Sequence, residues 1–115
     1  MATAEIVGDG LRVRFARWER LAVWREEVTV PLARIRTAEP VGNALARTRG
    51  GRIGLLVSGV LKVGVWGLGT GTRQLVSVRR SAPALRIAVD GGEFGELLLS
   101  LPDPAGLADA IKARA

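Results

Sequence analysis

The stretch ALRIAVDGGEFGELLLSLPDPAGLADAIKARA, residues 84–115, changes its hydrophobic period once, and that change decides the fold class. Leu85, Ile87 and Val89 alternate with Arg86, Ala88 and Asp90, the period-two pattern of a strand with one face to a core. Asp90-Gly91-Gly92 is turn chemistry, after which Leu97, Leu99 and Leu101 resume the alternation. Asp103 then offers an N-cap oxygen, and Pro104 suits the first helical position, where no N–H is needed. Leu107, Ala110 and Ile111 fall on one face at helical spacing, while Asp109 and Lys112 face away. The helix is ~11 residues, or about 16 Å, and needs a surface to dock on.

Strand signals continue upstream. Val76 and Val78 share a face within residues 73–80, and Val63 and Val65 do so within 62–66. Gly-Thr-Gly-Thr and Ser-Ala-Pro separate these segments. Near the N-terminus, Gly8-Asp9-Gly10 is a turn, followed by Leu11, Val13 and Phe15 alternating with Arg12, Arg14 and Ala16. Residues 17–24 read as a second extended run with Leu21 and Val23 on one face, and Glu26-Glu27 as a turn before Val28-Thr29-Val30. Pro31 ends that ladder for want of an N–H, residues 32–35 fit a single helical turn, and Pro40 puts strand 36–41 at an edge. Residues 43–51 are the least ordered by composition. The sum is one mainly β domain over residues 1–115, with its core in 11–113. We expect about seven antiparallel strands forming a small bent barrel, capped by the C-terminal helix.

Composition removes most chemistry from this frame. The 115 residues contain no His, Cys or Tyr, hence no imidazole base, thiol nucleophile, disulfide or imidazole or thiolate metal site. Glu26 and Glu27 are adjacent, so on a strand they point to opposite faces, and no serine has an imidazole partner. Neither catalytic residues nor a metal or cofactor are expected. Residues 53–71 are apolar enough to suggest a membrane span, but Lys62 at the centre costs about 2.5–3.5 kcal/mol there, and six glycines break the run. We read a buried loop followed by a strand. Residues 1–10 lack the basic start and apolar core of a signal peptide, so the expected address is cytoplasmic.

Several segments together resemble the small pleckstrin-homology-like (PH-like) proteins of actinobacterial type. These are Val28-Thr29-Val30-Pro31-Leu32-Ala33-Arg34-Ile35, the Gly-rich run 50–69 ending in Val65-Trp66-Gly67, Val76-Ser77-Val78-Arg79-Arg80 with Ala82-Pro83-Ala84, and Leu101-Pro102-Asp103-Pro104. The resemblance spans roughly residues 11–113. It implies a binding or self-assembly module without catalysis, with lipid, peptide and self-association roles all open. Phosphoinositide-binding members carry a Lys and then basic-X-Arg; here Arg12-Val13-Arg14 supplies basic-X-basic and no Lys precedes it.

Where it binds is sought in the charge. The net +6 comes from 15 Arg and 2 Lys against 11 acids, a skew that GC-rich codon usage also produces. Arg34, Arg36, Arg47, Arg49 and Arg52, opposed by Glu39, give +4 over 19 residues. On a mobile loop they can converge on an anionic membrane, each adding about 1 kcal/mol. Arg12, Arg14 and Arg17 form a second basic face. The expected partner is thus an anionic lipid surface at the inner membrane face, or a protein that pairs with the strand edge at 36–41. A homo-oligomer is compatible with either. Trp18, Trp24 and Trp66 are expected in or near the core; exposed beside arginines, they would mark an interaction surface. With aromatics at 4 %, stacking platforms are scarce, so a weak nucleic-acid binder is the weaker alternative and no specific nucleic acid is expected.

Overall fold

Gly8 has a positive φ of 59°, and with Asp9 it turns β1 (Thr3–Val7) back onto β2 (Gly10–Arg14) in the computed structural model, which describes residues 2–114. The predicted turn is therefore a hairpin, with a first strand that the sequence reading left out. β3 (Glu27–Pro31) completes a three-stranded antiparallel sheet in the order β1-β2-β3. After a 3-10 turn at Leu32–Arg34 come β4 (Ile35–Val41), a second 3-10 turn at Ala44–Arg47, and β5 (Gly51–Val57). Then follow β6 (Leu61–Leu68), β7 (Gln74–Arg79), β8 (Ala84–Val89) and β9 (Glu96–Ser100). These six form one sheet in the order β4-β8-β9-β7-β6-β5.

The mainly β class and the terminal helix are as expected, but the seven-strand antiparallel meander is not. Among the described residues nine strands form two sheets, β9 lies parallel to β7, and the larger sheet ends at β4 and β5 without closing into a barrel. The cause lies in β9. Leu97, Leu98 and Leu99 are all fully buried, and a strand apolar on both faces belongs inside a sheet. The chain therefore places β8 beyond β9 and returns between β8 and β7.

Two apolar layers result, one on each face of the larger sheet. Leu75, Leu85, Ile87, Leu97 and Leu99 face the main core, which the smaller sheet closes with Leu11, Val13 and Val30. Val76, Val78 and Leu98 face a smaller cluster with Trp66, Ala44 and Ala84. The C-terminal helix α2 (Pro104–Arg114) starts as predicted, with Gly106 N–H donating to Asp103 Oδ1 at 3.0 Å. It rests against β4 and β8 rather than over a barrel mouth. Its buried residues are Pro104, Ala108 and Ile111, so Ala108 takes the inward place expected of Ala110.

Residues 17–24 are the clearest correction. They form a helix, α1 (Arg17–Val23), where a strand was expected. Glu19 Oε1 accepts the Ala16 N–H at 3.0 Å, satisfying one of the donors that a helix start leaves open. Trp24 ends the helix in the left-handed region with φ 60°, its N–H donating to Arg20 O at 2.8 Å. Leu21 and Val23 suit a strand, but Glu19 and Val23, one turn apart, are the pair that is buried. Among the described residues no helix is long and apolar enough to cross a membrane, and residues 53–71 fall mainly in the β5–β6 hairpin.

Candidate binding surface

The β5–β6 hairpin carries an apolar face past the end of the main core. Ile53, Leu55 and Val57 pair across the ladder with Val65, Val63 and Leu61, and so share their side of the sheet. Among the described residues no strand lies beyond β5, so these three side chains are exposed, not buried in a loop as the sequence suggested. α1 lies over the same side. Glu19 and Val23 point into the core, while Trp18, Leu21 and Ala22 turn toward β5. With Trp24, Ile53, Gly54 and Leu55 they line an open groove of about 480 Å³. Leu21 is 81 % exposed and Trp24 78 %. Each exposed side chain of this size forgoes about 1.5–3 kcal/mol of available burial. Of the three tryptophans, only Trp66 is buried as expected.

α1 is fastened to the sheet by a buried polar contact. Glu19 is fully buried and accepts a short hydrogen bond from Ser77 Oγ on β7, besides the one from Ala16 N–H. The other wall is held by a glycine pair. Gly54 and Gly64 face each other across β5 and β6. A Cβ on Gly54 would lie 2.4 Å from Val63 O, and one on Gly64 would lie 2.5 Å from Ile53 O. The two backbones approach so closely only because neither residue has a side chain.

The two edges of the larger sheet differ in kind. β4 is an edge, as Pro40 suggested, but it also carries Arg36 and Glu39 and lies against α2. Charge, proline and a covering helix are the devices that keep an edge from pairing. β5 is seven residues long, has Arg52 as its one charged residue, and contains no proline. Of the two edges it is the open one.

Charge is distributed unevenly around it. Residues 40–89 contain no acid at all, but carry Arg47, Arg49, Arg52, Lys62, Arg73, Arg79, Arg80 and Arg86. All 11 acids lie outside that span. Cations stand at the start of β5 and beside the turn that follows it. Arg49 and Arg52 are at its start, and Arg79 and Arg80 lie beside the hairpin turn, where Arg80 N–H donates to Val60 O at 2.8 Å.

The eight arginines singled out from the sequence do not gather into one patch. Arg36 pairs with Asp90 at 2.9 Å, and Arg34 lies beside Gly92, both at the start of β4. Arg47 and Arg49 flank a polar hollow near its other end, with Glu39, Arg86 and Glu96. About 17 Å of strand separates the groups. Arg12 binds Glu5 at 2.6 Å, and that hydrogen bond holds its pKa above the ordinary arginine value. Arg14 pairs more loosely with Glu27 at 3.9 Å. Among the described residues Arg17, Arg34, Arg47, Arg49 and Arg52 make no ion pair with an acid.

The segment expected to be least ordered is tied down at several points. Lys62 Nζ donates to Leu45 O at 2.6 Å and Thr48 Oγ1 at 2.5 Å, and lies 5.9 Å from the Trp66 ring centroid. Buried Gln74 donates to Arg47 O and accepts from Arg49 N–H, both at 3.0 Å. It also donates to Glu96, which Arg86 Nε holds at 2.5 Å. Lys62, the residue that spoke against a membrane span, is thus an anchor for this segment. Gln74 and Glu96 had no signal in the sequence beyond being polar within apolar strands.

Comparison with known proteins adds no identity: no family model, curated protein or solved structure matches the chain.

Proposed function

We propose that this chain is a non-catalytic binding module, and that its working surface is the face built by α1 and the β5–β6 hairpin, which takes an anionic partner. One observation carries the reading: an exposed apolar groove flanked by Trp18, Leu21 and Trp24 lies beside the strands β5, β6 and β7, which contain no acid and carry Arg52, Lys62 and Arg79. Apolar anchors rimmed by one sign of charge bind by burying the anchors, while the charges steer the approach. The absence of His, Cys and Tyr supports a module without catalysis, and so does the PH-like resemblance. An anionic membrane reached through Arg47, Arg49 and Arg52 alone is a weaker reading, because Arg34 and Arg36 stand at the far end of β4.

Site-directed photo-crosslinking in native lysate tests the choice of surface. A crosslinker at Leu21 is expected to capture defined adducts that Leu55→Asp removes, whereas one at Ala110, exposed on α2, captures none of them. Equal capture at both positions would rule out α1 and β5 as the working surface.

A further inference from the structure

We infer that the occupant of this surface is an extended segment of another protein, apolar at alternate positions and acidic at both ends, which pairs with β5 as a seventh strand of the larger sheet. This rests on the reading that α1 and β5 form the binding face, and it names the chemistry of what binds there.

The backbone supplies the first argument. β5 ends the sheet, so along its outer side every second residue presents N–H and C=O groups without a ladder partner. A strand placed there would lie about 4.8 Å from β5, with alternate side chains on the α1 side. Those side chains would continue the row of Ile53, Leu55 and Val57 and enter the groove against Trp18 and Leu21. Main-chain pairing then gives affinity, and the alternate pockets give sequence preference.

Length and charge specify the segment further. β5 spans seven residues, which matches a partner core of similar length. Arg49 and Arg52 stand at the start of β5, and Arg79 and Arg80 lie on β7 and just after it, beside the turn at its other end, so acids at the segment's two ends face cationic surroundings in either strand direction. The same charges argue against a second copy of this chain. β5-to-β5 pairing would set two acid-free halves against each other, with like charges facing across the joint. A lipid surface fits the apolar side chains but not the edge, because hydrocarbon cannot satisfy open backbone groups.

The absence of Tyr leaves emission to the three tryptophans, two of which line the groove while Trp66 is buried. Emission is followed against four probes. The first is the end-blocked peptide Asp-Glu-Val-Thr-Ile-Thr-Val-Glu-Asp. The second has its acids replaced by lysine, and the third has both threonines replaced by proline. The fourth is a vesicle preparation with one-third phosphatidylserine. The acidic peptide is expected to shift the emission saturably. The lysine and proline forms should bind at least about tenfold more weakly, because they lose charge complementarity and strand N–H donors respectively. Leu55→Asp, at an exposed position, should abolish the shift in a folded protein, and Arg79→Glu/Arg80→Glu should weaken it. Equal binding of the lysine peptide would overturn the acidic partner, and equal binding of the proline peptide would overturn strand pairing. A response to vesicles alone would refute the peptide but keep the binding face, and silence with all four probes would refute both. Concentration-dependent dimers in analytical ultracentrifugation, abolished by Leu55→Asp, would replace the acidic segment with a second copy.

Discussion

Gly64→Ala is expected to destabilise the protein by roughly 3 kcal/mol, among the larger effects of a single added methyl group. The new Cβ would sit 2.5 Å from Ile53 O and 2.7 Å from Gly54 Cα, both backbone atoms of the facing strand. No side-chain rotation relieves such a contact, and φ is 150° at Gly64, which residues with a side chain rarely adopt. The strain therefore falls on the β5–β6 ladder, and β5 should leave the sheet before the core fails. At this chain length the melting temperature should drop by about 10–15 °C. Gly42→Ala is the matched control, since nothing lies within 4 Å of its Cβ position. It should melt within a few degrees of the native chain. If Gly64→Ala melts with the control, the close approach of β5 and β6 is wrong, and with it one wall of the groove.

Glu19→Ala is expected to cost about 2–3 kcal/mol, the range for orphaning buried hydrogen-bonding groups. The loss leaves Ala16 N–H at the helix start and Ser77 Oγ in the core without their shared acceptor. Glu19→Gln keeps a carbonyl for the backbone donor and an amide that can donate to Ser77 Oγ. It should cost about half as much. Ser77→Ala should be the mildest of the three, and the Glu19→Ala/Ser77→Ala double variant should cost less than the sum of the singles. Urea unfolding followed by circular dichroism reads all four. Additive effects would mean that Glu19 and Ser77 do not act as a pair, and that α1 is held to β7 by other contacts.

Much of the fold was legible because period-two patterns report one-sided burial directly. Leu11 and Val13 of β2, and Leu85, Ile87 and Val89 of β8, alternate along their strands and lie in the main core. Asp103 and Pro104 announced α2 by local chemistry alone. The failures arose where a distant partner decides between two local readings. Leu21 and Val23 fit a strand as well as Glu19 and Val23 fit a helix, and Ser77, 58 residues away, makes the helical choice productive. Likewise, apolar residues 53–57 look buried until the sheet is known to end at β5. Leu98 sits between two residues of the correct alternation, and only a second apolar layer explains why it too is buried.

The candidate surface was legible in smaller part. Closeness in sequence does not make the candidate arginines close in space, because β4 carries Arg36 and the segment after Val41 to opposite ends of one strand. Trp18 and Trp24 are exposed, where the expectation placed them in or near the core. The edge at 36–41 was also found, yet which of two edges is open depends on what covers each. That is a property of the folded sheet and not of the strand's own sequence.

Amide hydrogen exchange with and without the acidic peptide tests strand pairing at β5 most directly. The peptide is expected to slow exchange within residues 51–57, with smaller slowing in 18–24 and none in 35–41. Unchanged exchange at 51–57, or protection confined to 35–41, would contradict the assignment of β5 as the docking edge.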